Sequence, residues 1–286
     1  MNSFNIDWLV IGSITKDKVY LFGGEIDKLG GVPVYGGLTL KWLGQNVLVC
    51  TRINDKDKEL LQVFRENSIQ LSVGSSCKTT TFHNYVYGDI RRQKMPTVSD
   101  PINLNIVKKV VNGACPNFVL LGPLHPMDIS TDVFNFLRNA GCYVAADAQG
   151  LLRRERNGWI EEEVDKNLDL LLFATDWLKV SLEEINLLKR VTRLNESALI
   201  EKYGLKEIII TANSYGGVIW SADGTNMNFP AKEVENVSDT TGAGDVFFAA
   251  YLEARVCRRK PCKESTEQAT IIAAEQVKGG HVNEYL

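Results

Sequence analysis

The sequence predicts an α/β protein with a mainly parallel central sheet covered by helices on both faces. Short apolar runs alternate with amphipathic stretches along the 286 residues, the pattern of strands joined by crossover helices. The runs are apolar throughout instead of alternating with polar residues, as strands buried on both faces require. No internal repeat, low-complexity tract or Pro/Ser-rich linker interrupts them. One domain spanning 1–286 is therefore expected.

Taken in order, strands are expected at 7–12, 47–53, 118–122, 143–147, 168–173 and 207–211, with helices at 36–43, 56–66, 104–111, 129–139, 182–188 and 196–203. A further helix is expected at 269–277, followed by Gly279-Gly280. Two stretches break the alternation. Residues 16–21 and 80–90 read as extended segments rich in Val, Tyr, Phe and Thr, and suit either a small separate sheet or edge strands of the main one. Ligands of parallel sheets bind beyond the carboxyl ends of the strands, where Gly12, Asp147 and Thr211 would lie.

Composition narrows the function. A formal net charge of −3 gives no global basic field for nucleic acid or anionic lipid. Local runs such as Arg153-Arg154 and Arg258-Arg259-Lys260 read as solvated faces. No apolar run approaches the roughly 20 residues of a membrane span, and no leader pattern opens the chain. A cytoplasmic protein with no membrane or nucleic-acid partner is expected. The six cysteines include no Cys-x-x-Cys pair, and the three histidines keep no metal-ligand spacing; reduced thiols, several of them in the core, are expected.

The chemistry centres on Asp239-Thr240-Thr241-Gly242-Ala243-Gly244-Asp245, which runs into Val246, Ala249, Ala250, Ala254 and Cys257. Those apolar residues fall on one helical face. A small-residue turn opening a helix leaves backbone N–H groups unpaired at the positive end of the dipole, with no side chain above them. The result is an anion site. Asp245, in the first turn, stands where it could take a proton from a hydroxyl attacking a phosphoryl group. A capping aspartate beside a plain turn would explain a lone Gly-x-Gly equally well.

The whole segment resembles the second signature of the ribokinase family, the PfkB carbohydrate kinases. The resemblance implies a ribokinase-like fold in which Gly242, Ala243 and Gly244 form the anion hole and Asp245 is the catalytic base. It also implies ATP as phosphoryl donor with Mg²⁺, and a small sugar, polyol or nucleoside as acceptor. Further landmarks extend it over most of the chain. Gly12 to Asp17 resembles the family's Gly-x-x-x-x-Asp, with Asp17 accepting from acceptor hydroxyls; a carboxylate takes two donors of a vicinal diol at once. Gly30-Gly31, then Gly36-Gly37 and Leu43-Gly44, resemble the Gly-Gly segment before the first helix and the Leu-Gly that ends it, where glycine lets backbone approach a ligand closely. Tyr35 stands where the family usually has a sugar-contacting Asn. Asp147-Ala148-Gln149-Gly150 is similar to a variant in inositol-kinase-like members, with Asp147 and Gln149 in reach of a polyol. A strand-end turn stabilised by its own side chains reads the same way.

Ser181 and Glu184 stand where the family has Asn-x-x-Glu, implying that Glu184 holds Mg²⁺ through water. A capping box accounts for the same pair. The stretch from Thr211 to Gly217 resembles the strand-end loop beside the nucleotide, with Asn213 at a usual glycine; Asn tolerates positive φ. Thr211, Asn213, Gly216 and Thr241 are thereby implied in nucleotide binding. Segments near 16–34 and 79–95 correspond to the family's β-lid, which can also serve as a homodimer face. Two other classes stay open: a non-catalytic sugar- or nucleotide-binding regulator on the same fold, and a hydrolase, against which the absence of Gly-x-Ser-x-Gly speaks.

Overall fold

A computed structural model describes residues 6–21, 24–87 and 90–285. Residues 22–23 and 88–89, within the expected lid segments near 16–34 and 79–95, lie outside the described residues. The chain opens with β1 (Trp8–Gly12), β2 (Thr15–Leu21), β3 (Gly24–Gly30), α1 (Val32–Trp42) and β4 (Val47–Asn54). A 3₁₀ turn at Asp55–Leu61 leads to α2 (Gln62–Glu66), β5 (Gln70–Ser76), β6 (Thr81–Tyr87), β7 (Ile90–Thr97) and α3 (Leu104–Ala114). Then come β8 (Phe118–Gly122), α4 (Thr131–Arg138), β9 (Tyr143–Asp147), β10 (Arg153–Arg156), β11 (Trp159–Glu162) and α5 (Leu168–Phe173). The last part comprises β12 (Trp177–Ser181), α6 (Leu182–Thr192), α7 (Glu196–Tyr203), β13 (Glu207–Thr211), β14 (Gly217–Ser221), β15 (Asn226–Phe229), α8 (Ala243–Leu252) and α9 (Cys262–Val277).

The main sheet has nine strands in the order β15-β14-β13-β12-β9-β8-β1-β4-β5. Its pairs from β13 to β5 are parallel, and the β13-β14-β15 edge is antiparallel. Two apolar cores cover its faces. One joins Leu9, Ile11, Val119 and Leu121 to α3 through α7; the other joins Trp8, Val10 and Val49 to α1, α8 and α9. Burying both faces of the strands explains why they read as unbroken apolar runs. Among the described residues no helix is long and apolar enough to cross a membrane.

A second sheet of six strands, order β10-β11-β7-β6-β2-β3, collects both extended segments. They are not edge strands of the main sheet. The sheet also recruits β10 and β11, which the periodicity did not suggest; their turn, Asn157-Gly158, has positive φ at both residues (51° and 85°), as a tight hairpin requires. The face carrying Asp17, Val19, Phe82 and Asn84 is buried. Phe82 and Met95 pack there with Leu124 from the loop after β8.

Several expectations need correction. Residues 168–173 form helix α5, not a strand. Leu168, Leu171 and Leu172 are buried at the three- and four-residue spacing of a helical face, and Asp165 opens the turn by accepting from Asn167 N. The strand in that place is β12. The first helix starts at Val32, so Gly36 and Gly37 are helical; a Cβ on Gly36 would stand 3.1 Å from Leu120 Cδ2, and its absence lets α1 settle on the sheet. Residues 56–66 divide into the 3₁₀ turn and α2. All six cysteines are free, as expected, but only Cys50 is buried. Arg153 is no solvated residue. It lies 7% exposed, donates through Nε to Leu124 O at 2.7 Å and covers the Phe82 ring.

Candidate active site

The anion loop is built from below. Gly242 is the N-cap of α8 in the left-handed conformation (φ 74°), and no side chain caps the helix. Tyr35, 1% exposed on α1, lies directly beneath: a Cβ on Gly242 would stand 2.2 Å from its ring. Both conditions exclude any residue but glycine. Tyr35 was expected to face the acceptor. Its ring instead supports the loop, and its hydroxyl donates to Leu29 O at 3.2 Å.

The loop is also held from both sides. Asp239 Oδ1 accepts from the backbone N and the hydroxyl of Thr241, and its other oxygen pairs with Lys28 of the second sheet. Burial works to raise the Asp239 pKa, but Lys28 and Thr241 outweigh it and hold the carboxyl below its ordinary value. Gln276, fully buried on α9, donates to Thr241 O at 3.3 Å and accepts from Val282 N. Periodicity gives no sign of Lys28 or Gln276, because the first reads as an edge lysine and the second as a helix interior.

Asp245 lies in the first turn of α8 with its side chain 20% exposed. It belongs to a cluster of alternating charge. Lys179, in the middle of β12, donates to Asp147 Oδ2 at 2.5 Å and stands 4.0 Å from Asp245 Oδ1. Burial pushes the Asp245 pKa up to about 6, with Lys179 and Arg153 acting against the shift and Asp147 and Glu184 adding to it. Burial also works against charge on Lys179; Asp147, Asp245 and Glu184 outweigh it, and the ammonium pKa rises. Glu184 is raised by burial and by Asp147. The expected residues Asp147, Glu184 and Asp245 thus meet at one place, joined by Lys179 and Arg153. Lys179 was missed because a lone lysine inside an apolar strand carries no pattern.

Ser181 and Glu184 form a full capping box on α6: Ser181 N donates to Glu184 Oε2 at 2.7 Å, and Glu184 N to Ser181 Oγ at 3.1 Å. Glu184 Oε1 makes none of these bonds. Among the described residues no group of three or more metal-ligating side chains gathers. One carboxylate oxygen left over from the capping box fits Mg²⁺ held through water, since that ion keeps most of its waters and takes few protein ligands.

On the other side, Asp17 is buried on β2 beside Gly30, where a Cβ would stand 2.8 Å from its Oδ2. Gly31 is the N-cap of α1, with φ 95°. Asp147 Oδ1 accepts from Gln149 N at 2.9 Å, so both Asp147 oxygens already have partners. The loop after β13 keeps its expected shape: Asn213 has φ 49° and Gly216 φ 87°. A Cβ on Gly216 would strike Phe229 O. Thr211 is half-buried and Asn213 exposed, and the Thr241 hydroxyl is spent on Asp239.

A Gly242→Ala substitution tests the support from Tyr35. Left-handed φ alone costs a non-glycine residue about 1–2 kcal/mol, and the ring adds overlap. Urea denaturation should show a loss of at least that size; an unchanged midpoint would mean that the loop is not fixed by Tyr35.

Comparison with known proteins gives the family and the fold. The model of the pfkB family carbohydrate kinases matches residues 37–284. A curated ribokinase from Dictyostelium discoideum is 35% identical over 81 residues, which is 28% of this chain and 26% of that protein's own length. A pyrophosphate-dependent kinase in the ribokinase family, complexed with a pyrophosphate analogue and myo-inositol, superposes with TM-score 0.80 at 23% identity, covering 95% of each chain. A Burkholderia thailandensis nucleoside kinase in complex with inosine gives TM-score 0.79 at 17% identity, covering 97% of this chain and 93% of that one. At these identities the structural likeness is one of fold. With the family match running over residues 37–284, the chain belongs to the pfkB family of carbohydrate kinases.

Proposed function

We propose that this protein is a kinase transferring a phosphoryl group from ATP to a hydroxyl of a small ring polyol, with Asp245 as general base. The observation that carries this reading is the coincidence of a buried carboxyl, its pKa pushed up to about 6, with the uncapped N-terminus of α8. A base is most effective when its pKa lies near the working pH, and the helix end is where a transferring phosphoryl group is best received.

The acceptor lies between Asp17, Gly31 and Gln149, under the second sheet acting as a lid. Asp17 accepts from two hydroxyls and turns the third toward Asp245. Asp245 removes its proton as the oxygen attacks the γ-phosphorus of ATP, the bond to the β-phosphate oxygen breaks and ADP leaves, and the amides of Gly242, Ala243 and Gly244 hold the charge of the transferring group in line. The loop of Thr211, Asn213 and Gly216 lies on the nucleotide side. Magnesium held through water by Glu184 would neutralise donor phosphate charge. The paired oxygens of Asp147 give that residue a structural part, so Asp17 and Gln149 carry the recognition. The fold shared with a kinase complexed with myo-inositol supports an inositol as acceptor.

A turnover panel of inositols, sugars, sugar phosphates and nucleosides, each with Mg-ATP and with pyrophosphate, tests the reading. Inositol-dependent ADP formation is expected. Turnover of fructose 6-phosphate with inositols inert would overturn the acceptor, pyrophosphate dependence would overturn the donor, and binding without turnover would overturn the kinase itself.

Asp245→Asn should lower kcat by about 10²–10⁴-fold while ATP-analogue affinity stays within a factor of two. In the wild type, the base is ionised above its pKa and protonated below. The value of about 6 therefore predicts a kcat/KM plateau above pH 7 and a fall of roughly tenfold at pH 5. A profile flat from pH 5 to 8 under chemistry-limited conditions would remove Asp245 from the role.

A further inference from the structure

Lys179 is buried where elementary electrostatics disfavours it. On the sheet face covered by α8, Ala145, Trp177 and Ile209 lie in the apolar core, and Lys179, two residues beyond Trp177 on β12 and in register with Asp147 and Ile209, emerges from that core beside the helix N-terminus. A Cβ on Gly244 would stand 3.2 Å from its Nζ. The dipole of α8 is positive there and repels a cation. The side chain is nonetheless only 10% exposed.

Its hydrogen bonding is also incomplete. An ammonium has three donors, and among the described residues Lys179 uses one, on Asp147 Oδ2 at 2.5 Å. Asp245 Oδ1 at 4.0 Å is beyond hydrogen-bonding distance. A buried charged group with unspent donors carries a desolvation penalty. An ammonium needed only to neutralise Asp147 and Asp245 would gain by closing on both. Here it is clamped by one carboxylate, with its remaining N–H groups beside the amides of α8. Those amides and the ammonium are two positive features converging at the start of one helix, and an anion placed between them satisfies both together. Registry fixes the clamp, since Lys179 and Asp147 are partners in the parallel pairing of β12 with β9.

We propose that Lys179 is a catalytic residue, its ammonium binding oxygens of the transferring phosphoryl group at the N-terminus of α8 while Asp147 holds it in place. The assignment rests on the kinase reading above and adds to it the cation that shares the phosphoryl charge with the helix amides. Binding of an anion at the helix end draws on both donors at once, so loss of the ammonium weakens the anion more than the acceptor.

Calorimetry with two probes, inorganic pyrophosphate and Mg-β,γ-imido-ATP, decides it. Lys179→Met should weaken at least one probe tenfold or more and lower kcat about 10²–10³-fold with acceptor KM within threefold of wild type; Lys179→Arg should recover affinity to within threefold. Unchanged probe affinity in Lys179→Met, or a raised acceptor KM with probe affinity intact, would overturn the assignment. If Lys179→Met does not fold, reductive methylation of the wild type replaces it: saturating probe should slow modification of Lys179 at least fivefold relative to Lys202, and equal slowing would overturn it. A wild type that binds a probe but transfers nothing contradicts the kinase reading, while the affinity ratio still decides Lys179. A wild type that binds neither probe overturns both.

Discussion

The structure depends on one helix end left without a cap. The N-terminus of α8 opens at Gly242 with no side-chain cap, Ala243 N alone turning back to Thr240 O at 3.3 Å, an arrangement that costs stability unless a ligand or water meets the remaining amides. Everything around it keeps that end open and immobile. Tyr35 fills the space below, Asp239 folds the approach around Thr241, Lys28 ties the loop to the second sheet, and Gln276 ties it to the C-terminal segment. Replacing water at such an end by fixed donors is what makes it effective toward developing charge, because no reorganisation is needed at the moment of transfer.

The same loop brings the two sheets into one electrostatic unit. Asp17 and Lys28 are cross-strand partners of β2 and β3. One is directed to the Gly30 turn and the other to Asp239. Behind them, Asp147, Glu184 and Asp245 are balanced by Lys179 and Arg153. Burial raises the pKa of Asp245 against the pull of the two cations, and three carboxylates beside them suit a divalent cation arriving with phosphate.

How much of this was legible follows from the range of each signal. The strands of the parallel core were visible because burial on both faces writes itself as an apolar run, and the anion loop because small residues at a helix start leave a local mark. α5 was mistaken for a strand because a six-residue apolar run suits either state, and only Asp165 at its start and the exposed Asp169 gave the helix away. The hairpin of β10 and β11 had its signal in Asn157-Gly158, overlooked beside the charges around it. The position of Tyr35, the clamp of Lys179 by Asp147 and the burial of Arg153 were not legible, since each is set by residues more than 25 positions away and no local pattern encodes a partner at that distance.

The central claim is that the amides opening α8 receive the phosphoryl group, and their own resonances test it most directly. In a titration of ¹⁵N-labelled protein with Mg-β,γ-imido-ATP, the amide signals of Gly242, Ala243 and Gly244 should move downfield together and saturate with the dissociation constant found by calorimetry. Saturation of binding with those three amides unmoved would contradict the account.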